Sequence, residues 1–468
     1  MRGVIIVAGR ALIQPEALAV GAALAAAGVP VHYLDANLNV SDVPKPQSGN
    51  RGPIPSRMER RARRWADYLK ARLIRSPMTR ALVLLRGIAA DRIRLRRVFR
   101  AIRPSVVVIF DDRRARPDLV LRALAGRHGI AVTVVPFAIS SVESDAGARR
   151  NKPEHCIKQT PWRFAKRWIA RRWPGQVHDD ARAGPLLFFG VFDTLVLAVC
   201  GLLPARPWVL GGSDPELICA TDSDHRRYLQ AGGVTPDRIV ETGQPSLDRL
   251  FLSPTARSRL AAKQVERYGL PPDRPLVACA VPQYAEHGMT TWERHHALTD
   301  ELFAALAGSD AAVLLSLHPK SKRENYAAAA ARHGLAIAEE RLVDLLPAAD
   351  LLVGTFSSTV RWAIGLGTPA IVVDAIGTGY QLYRDLEGAV VVEGHDDLAR
   401  ELTRFVRDPH HRGDLRRATE RGSARVGRLD GAASWRIADA IGRLLVRPAA
   451  DDSRSLLPAA EPASRTSQ

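Results

Sequence analysis

The chain has 468 residues, 46% of them hydrophobic, with 67 Lys and Arg against 49 Asp and Glu and only four cysteines. That length suits two domains that each bury their own core, and the hydrophobic share excludes a disordered or fibrous chain. Cys156, Cys200, Cys219 and Cys279 are scattered without a CxxC pair, which argues against a disulfide framework or a zinc site and suits a reducing cytoplasm.

The first 35 residues are apolar enough to resemble an export signal, but Gln14 and Glu16 interrupt the run. They read instead as a strand over Val4–Ala8, a turn at Gly9, a helix over Pro15–Ala27 and a strand over Val31–Leu34. Residues 51–103 then hold 17 Lys and Arg against Glu59, Asp67 and Asp91, in a helical pattern that places Trp65, Leu69, Leu73, Ile88, Leu95 and Phe99 among the arginines. Next come SVVVIFDD (Ser105–Asp112), a helix to His128 and the strand IAVTVVP (Ile130–Pro136). A second basic run, Arg149–Arg172, carries Trp162, Phe164 and Trp168, with Trp173 just beyond. Basic helices with interleaved aromatics suit an anionic membrane surface or an anionic polymer; the plain alternative is a solvated face. No RNP, zinc-finger or helix-turn-helix pattern accompanies them, so a nucleic-acid partner is not expected. The stretch from Pro185 to Pro204 is long enough to span a bilayer and carries one charge, Asp193. Strands of one sheet precede and follow it, however, and a sheet cannot straddle a membrane. An interfacial or buried helix is expected there.

The strand and helix LICATDSDHRRYLQAGG leads to RIVETGQPSLDRL, and a hinge-like stretch follows from Ser253 to Asp273. The second half restarts with PLVACAVPQ (Pro275–Gln283) and closes its sheet with GAVVVEG (Gly388–Gly394). Helical patterns run from Asp396 to about Leu445, and the Ala-, Pro- and Ser-rich tail 448–468 reads as disordered. Alternating strands and helices predict an α/β fold of two doubly wound, Rossmann-like domains facing a central cleft. The first spans 1–252, with basic helical insertions at 51–103 and 149–210; the second spans 265–410, and C-terminal helices fill 411–447.

Two motifs carry the chemistry. LSLHPKSK and VGTFSSTVRWAIGLGTP each begin as an apolar strand and open into a polar loop before a helical pattern. Strand ends facing helix N-termini favour anions, because free backbone N–H groups and the helix dipole meet there. His318, Lys320, Gly354, Thr355, Ser357, Ser358 and Thr359 therefore form the candidate phosphate site for a nucleotide. The competing reading makes Ser358 and Thr359 an ordinary helix cap and His318 a turn residue.

RIVETGQPSLDRL, after an apolar strand and a helix ending AGGV, resembles the close of the N-terminal domain in glycosyltransferases of the GT-B type and in the related non-hydrolysing UDP-N-acetylglucosamine 2-epimerases. LHPKSK and TFSSTVRWAIGLGTP resemble the HP and SS motifs of bacterial sialyltransferases, capsule Kdo transferases and CDP-glycerol glycerophosphotransferases of surface-polymer synthesis. The likeness covers roughly Leu217–Asp374. It implies a GT-B transferase in which His318, Ser357 and Ser358 contact the donor phosphate, with a CMP- or CDP-activated donor favoured over a UDP one and a surface polysaccharide or lipid-linked glycan as acceptor. The donor is a substrate, and no tightly bound cofactor is implied. Where the epimerases carry an HVEAGLR-like segment with its catalytic Glu, this chain has VTVVPFAISSVESD. Where the sialyltransferases carry DDG, it has FDDRR, with Arg113 in place of Gly.

Inverting transfer needs a group to take the acceptor proton and donors to stabilise the departing phosphate. Asp111, Asp112, Glu143 and His287 are the candidates for the base. Asp222-Ser223-Asp224 has the outline of a DxD metal pair but precedes a helix and reads as its N-cap, so no metal is called for. The expected setting is the cytoplasmic face of the cell membrane, with the protein held peripherally. A nucleotide-sugar 2-epimerase, or a non-catalytic GT-B-like protein that binds glycan or membrane, are the alternative readings.

Overall fold

The computed structural model describes residues 3–9, 13–42, 76–137, 142–355, 357–377, 383–427 and 429–446. The first domain opens with β1 (Val4–Val7), α1 (Gln14–Ala26), β2 (Val31–Leu34) and β3 (Val40–Ser41). It continues with α2 (Pro77–Ile102), β4 (Val106–Ile109), α3 (Asp118–Arg127) and β5 (Ala131–Val134). An excursion follows through α4 (Val142–Arg150), α5 (Arg163–Arg172), a hairpin of β6 (Val177–Asp180) with β7 (Gly184–Leu187), and α6 (Val191–Val199). The chain then returns to the sheet with β8 (Leu217–Ala220), α7 (Ser223–Ala231) and β9 (Ile239–Glu241).

The second domain runs α8 (Pro254–Arg267), β10 (Leu276–Ala280), α9 (Trp292–Ala307), β11 (Ala312–Ser316), α10 (Glu324–Arg332), β12 (Ala336–Ile337), α11 (Leu342–Leu345) and β13 (Leu351–Gly354). It ends with α12 (Thr359–Gly365), β14 (Ala370–Val373), β15 (Ala389–Val392), α13 (His395–Arg407) and α14 (Pro409–Val426), and α15 (Ala433–Val446) closes the described chain. The strand orders are β3-β2-β1-β4-β5-β8-β9 and β12-β11-β10-β13-β14-β15. All these pairings are parallel except β2 with β3. The central strands VIIV, VVVI, LICA, LLVG and AIVV are buried along their whole length. Parallel sheets covered by helices on both faces require such apolar runs. Each sheet reverses its strand order once, between β1 and β4 and between β10 and β13, and the crevice outside those strand ends is where doubly wound sheets bind ligands.

Three expectations change. The hinge-like stretch from Ser253 is mostly helix α8, whose Leu260 and Ala261 pack against Leu276 and Ala312 of the second sheet. Residues 185–204 form strand β7 and the nine-residue helix α6 rather than one long apolar helix. Asp193 lies on α6, where burial pushes its carboxyl up. Among the described residues, no helix is long and apolar enough to cross a membrane. The C-terminal helices do not form one block: α14 stays beside α12 and α13, while α15 crosses back to α1. There Ile437, Ala438, Ala440 and Ile441 share a core with Val20 and Leu24. In the basic segment, α2 sends Ile88, Leu95 and Phe99 into the first core; residues 51–75, like the tail 448–468, lie outside the described residues.

Candidate active site

Because β11 and β13 flank β10, the loops after these three strands meet at the switch point of the second sheet. His318 lies two residues past β11 and is exposed, as are Lys320, His287 and Ser358. Partial burial, then the charges of Lys320, His287 and Arg341, hold the His318 imidazole below its ordinary value, so the ring is neutral at neutral pH. Its Nδ1 accepts a hydrogen bond from the Lys320 backbone N–H at 3.2 Å. A neutral imidazole that accepts at Nδ1 carries its proton on Nε2, which leaves an N–H donor on the free side of the ring.

That loop is braced by side chains the motif reading passed over. Ser321 donates to Glu286 Oε1 at 3.0 Å and receives from Gln283 Nε2 at 3.0 Å. Tyr326 donates to the same Glu286 oxygen at 2.6 Å and meets the buried His295 at 3.0 Å. Burial alone would push Glu286 up, but the Tyr326 and Ser321 hydroxyls and nearby His295 hold its carboxyl below the ordinary range. The available signal was the loop QYAEH itself, which carries Gln283 and Glu286 beside His287.

At the serine turn, Gly354 is buried and Thr355 half-buried. Ser357 Oγ accepts from the Thr359 backbone N–H at 3.3 Å, and Tyr383 donates to the Ser357 carbonyl at 2.9 Å. Ser358 occupies the cap position of α12 with helical dihedrals and no side-chain cap bond. The ordinary-cap reading therefore fits Ser357 and not Ser358, whose exposed hydroxyl is left for other contacts. Thr359 Oγ1 is buried without a hydrogen-bond partner among the described residues.

The acidic candidates of the first domain are mostly committed elsewhere. Asp112 is fully buried and accepts from the backbone N–H groups of Gly211 and Ser213 at 2.8 and 3.0 Å. Burial pushes its carboxyl up. It braces a loop and is closed off from solvent, which removes it from the base candidates. Asp111 Oδ1 accepts from the Arg113 backbone N–H at 3.0 Å and from Arg113 Nε at 3.1 Å, and Arg113 also grips Asp145 at 2.7 Å. Glu143 is exposed on α4. Only His287 shares the second-sheet edge with His318.

Between the domains lies a cleft of about 190 Å³, lined by Phe137, Thr221, Gln244 and Leu247 on one side and Ser358 and Trp362 on the other. Arg361 of α12 crosses it to Asp222 at 2.9 Å and Asp224 at 3.6 Å. Asp222 also caps α7 by accepting from the His225 backbone N–H at 2.8 Å. These carboxylates are thus a helix cap and an interdomain ion pair. No group of three or more His, Cys, Asp or Glu among the described residues is arranged to hold a metal ion. Burial lowers His225 to about 4 despite Asp222, with Arg361 adding to the fall. Behind Gln244, the buried Glu16 accepts from Ser246 at 2.6 Å and from Gln244 at 3.3 Å, and burial raises its carboxyl. Arg361, Gln244 and Glu16 escaped the motif reading because their partners come from the opposite domain or from more than 200 residues away.

Residues 216–442, just under half of the chain, match the family of CDP-glycerol:poly(glycerophosphate) glycerophosphotransferases. His287, His318, Ser358 and Arg361 all fall within that span. The UDP-N-acetylglucosamine 2-epimerase of Methanocaldococcus jannaschii is 14% identical with a TM-score of 0.50, covering 95% of this chain and 100% of that one. A Listeria monocytogenes protein described as a UDP-N-acetylglucosamine 2-epimerase is 13% identical with a TM-score of 0.50, covering 95% and 96%. The wall teichoic acid polymerase TagF is 19% identical over 49% of this chain and 58% of that chain, at a TM-score of 0.37 too slight to argue from. No curated protein matches the sequence significantly. The fold is of the GT-B type. With the family match, it defines a GT-B transferase that moves a group from a nucleotide-activated donor.

Proposed function

We propose that the chain transfers a glycosyl or polyol-phosphate group from a cytidine-activated donor to a hydroxyl of a surface polymer or lipid-linked glycan, at the cytoplasmic membrane surface. The observation that carries this reading is the pairing of His318–Lys320 with Ser357–Ser358 on strands either side of β10, inside the glycerophosphotransferase match. The acceptor oxygen bonds to the transferred group while that group's bond to the nucleotide phosphate breaks. Charge then gathers on the departing phosphate, where the Nε2–H of His318, the Lys320 ammonium and the Ser358 hydroxyl supply donors. The acceptor proton passes to His287, the base candidate beside this edge, with Asp111 as the alternative on the acceptor side. The 2-epimerase alternative has likeness of fold alone behind it.

Thermal shift against CMP, CDP, UMP, UDP and GDP tests the donor. A ligand present at 100 times its Kd stabilises by about 2.7 kcal/mol, and a cytidine nucleotide is expected to give the largest shift, lost in His318→Ala. A larger response to UDP would move the assignment toward the epimerase.

A further inference from the structure

We propose that α5 docks the protein on an anionic lipid bilayer, with Phe164 and Trp168 seated at the boundary between headgroups and acyl chains. In RFAKRWIARR, positions 164, 167, 168 and 171 follow the three-and-four spacing of one helix face. That face meets solvent: Phe164 is 85% exposed and Trp168 53%, with Arg163, Arg167, Arg171 and Arg172 exposed around them. The opposite face holds Lys166 and Ile169, both fully buried.

Burying a lysine while two aromatics face water inverts the usual order, so something must pin it. Lys166 Nζ donates to the carbonyls of Pro153, Cys156 and Gln159 at 2.7, 2.7 and 2.6 Å, which satisfies all three ammonium donors. Ile169 packs beside Ile157, Leu187 and Val191. The helix is therefore locked with its aromatics outward. Trp162, 51% exposed and edge-on to Phe192 at 5.2 Å, extends the apolar side.

Charge and apolarity together select the occupant. A soluble acidic polymer would pair with the guanidiniums but leave Phe164 and Trp168 in water, whereas an uncharged apolar groove would strip water from four arginines. Anionic headgroups over acyl chains accommodate both, with the arginines at headgroup level and the rings just below. The inference rests on the membrane-side reading above and gives it a surface. Of the interfacial and buried readings of the apolar stretch 185–204, Phe188 follows the buried one, with the Arg149 guanidinium 3.8 Å from its ring centroid, and adds nothing to this surface.

Flotation of the full chain with vesicles of mixed phosphatidylglycerol and phosphatidylcholine, and with phosphatidylcholine alone, tests it. The wild type is expected to float with the anionic vesicles at low salt and to release at high salt. Phe164→Ser with Trp168→Ser should cut binding by roughly tenfold or more, and replacing Arg163, Arg167, Arg171 and Arg172 by Gln should abolish the preference for anionic lipid. These side chains are exposed, so unchanged thermal unfolding and unchanged nucleotide shifts will show that both variants fold and keep the donor site; loss of the nucleotide response in the wild type would instead strike the transferase reading. Failure of the wild type to float, the serine variant floating as the wild type does, or heparin binding that anionic vesicles do not displace would each overturn the proposal.

Discussion

The carboxyl edges of the two sheets are built alike and used differently. Past β4, Asp111 and Asp112 are absorbed by the protein, one by Arg113 and the other by two backbone N–H groups of a loop a hundred residues on. Past β11 and β13, His318, Lys320 and Ser358 stay exposed, while a second rank of Glu286, Gln283, Ser321 and Tyr326 does the bracing. A polar side chain already satisfied by its own protein is an element of structure; one held in place with a donor to spare is an element of a site. On the proposed reading, function is concentrated on the second edge and stability on the first.

The sharpest way to break that comparison is Asp112→Ala. It leaves the buried N–H groups of Gly211 and Ser213 without an acceptor, and a loss of about 3 kcal/mol or more is expected in denaturant unfolding. Full stability with lost turnover would return Asp112 to the catalytic candidates. His225 provides a second measure of interdomain structure. Its folded pKa of about 4 lies below the ordinary 6.5, so the unfolded chain takes up the proton first. Its contribution is therefore complete above pH 6.5 and is lost as pH falls toward 4, by up to about 3 kcal/mol. His225→Asn should flatten that limb of the stability profile, and an unchanged profile would assign the loss to other groups.

On the second edge the effects should be kinetic. His287→Ala is expected to lower kcat at least about 100-fold with donor affinity little changed, the signature of a lost base; if the rate holds, Asp111→Asn is the next variant to lose it. His318→Ala should weaken donor binding by about 2 kcal/mol, with His318→Gln recovering part of it through its own N–H. Ser358→Ala should cost about 1 kcal/mol in donor affinity and nothing in thermal stability, because its hydroxyl caps no helix. A marked fall in unfolding temperature for Ser358→Ala would make it structural after all.

Much of this architecture was legible in the chain. VIIV, VVVI and LLVG announce buried parallel strands because a strand covered on both faces has no polar side to show. The second strand's expected bounds, Val31–Leu34, are the observed ones. HPKS and FSS after such strands mark loop ends where polar groups collect. The hinge misreading at Ser253–Asp273 has a local cause: α8 is rich in Arg, Lys and Gln, and its few packing residues, such as Leu260 and Ala261, make too narrow a stripe to stand out.

By itself, then, the sequence determined the strand and helix order and the chemistry at the strand ends, since these depend on local runs of apolar and hydrogen-bonding side chains. Tertiary structure decided which of those groups remain free. Asp112 is a brace only because Gly211 and Ser213 come to it, Arg361 bridges the cleft only because Asp222 waits across it, and α15 belongs to the first domain only because α1 offers an apolar face. Lys166 is inside and Trp168 outside because three carbonyls of the turn before α5 fold over the ammonium and satisfy it. The role of a polar or charged side chain is set by its partners, which a local run of residue types does not name, and only the fold brings them within reach.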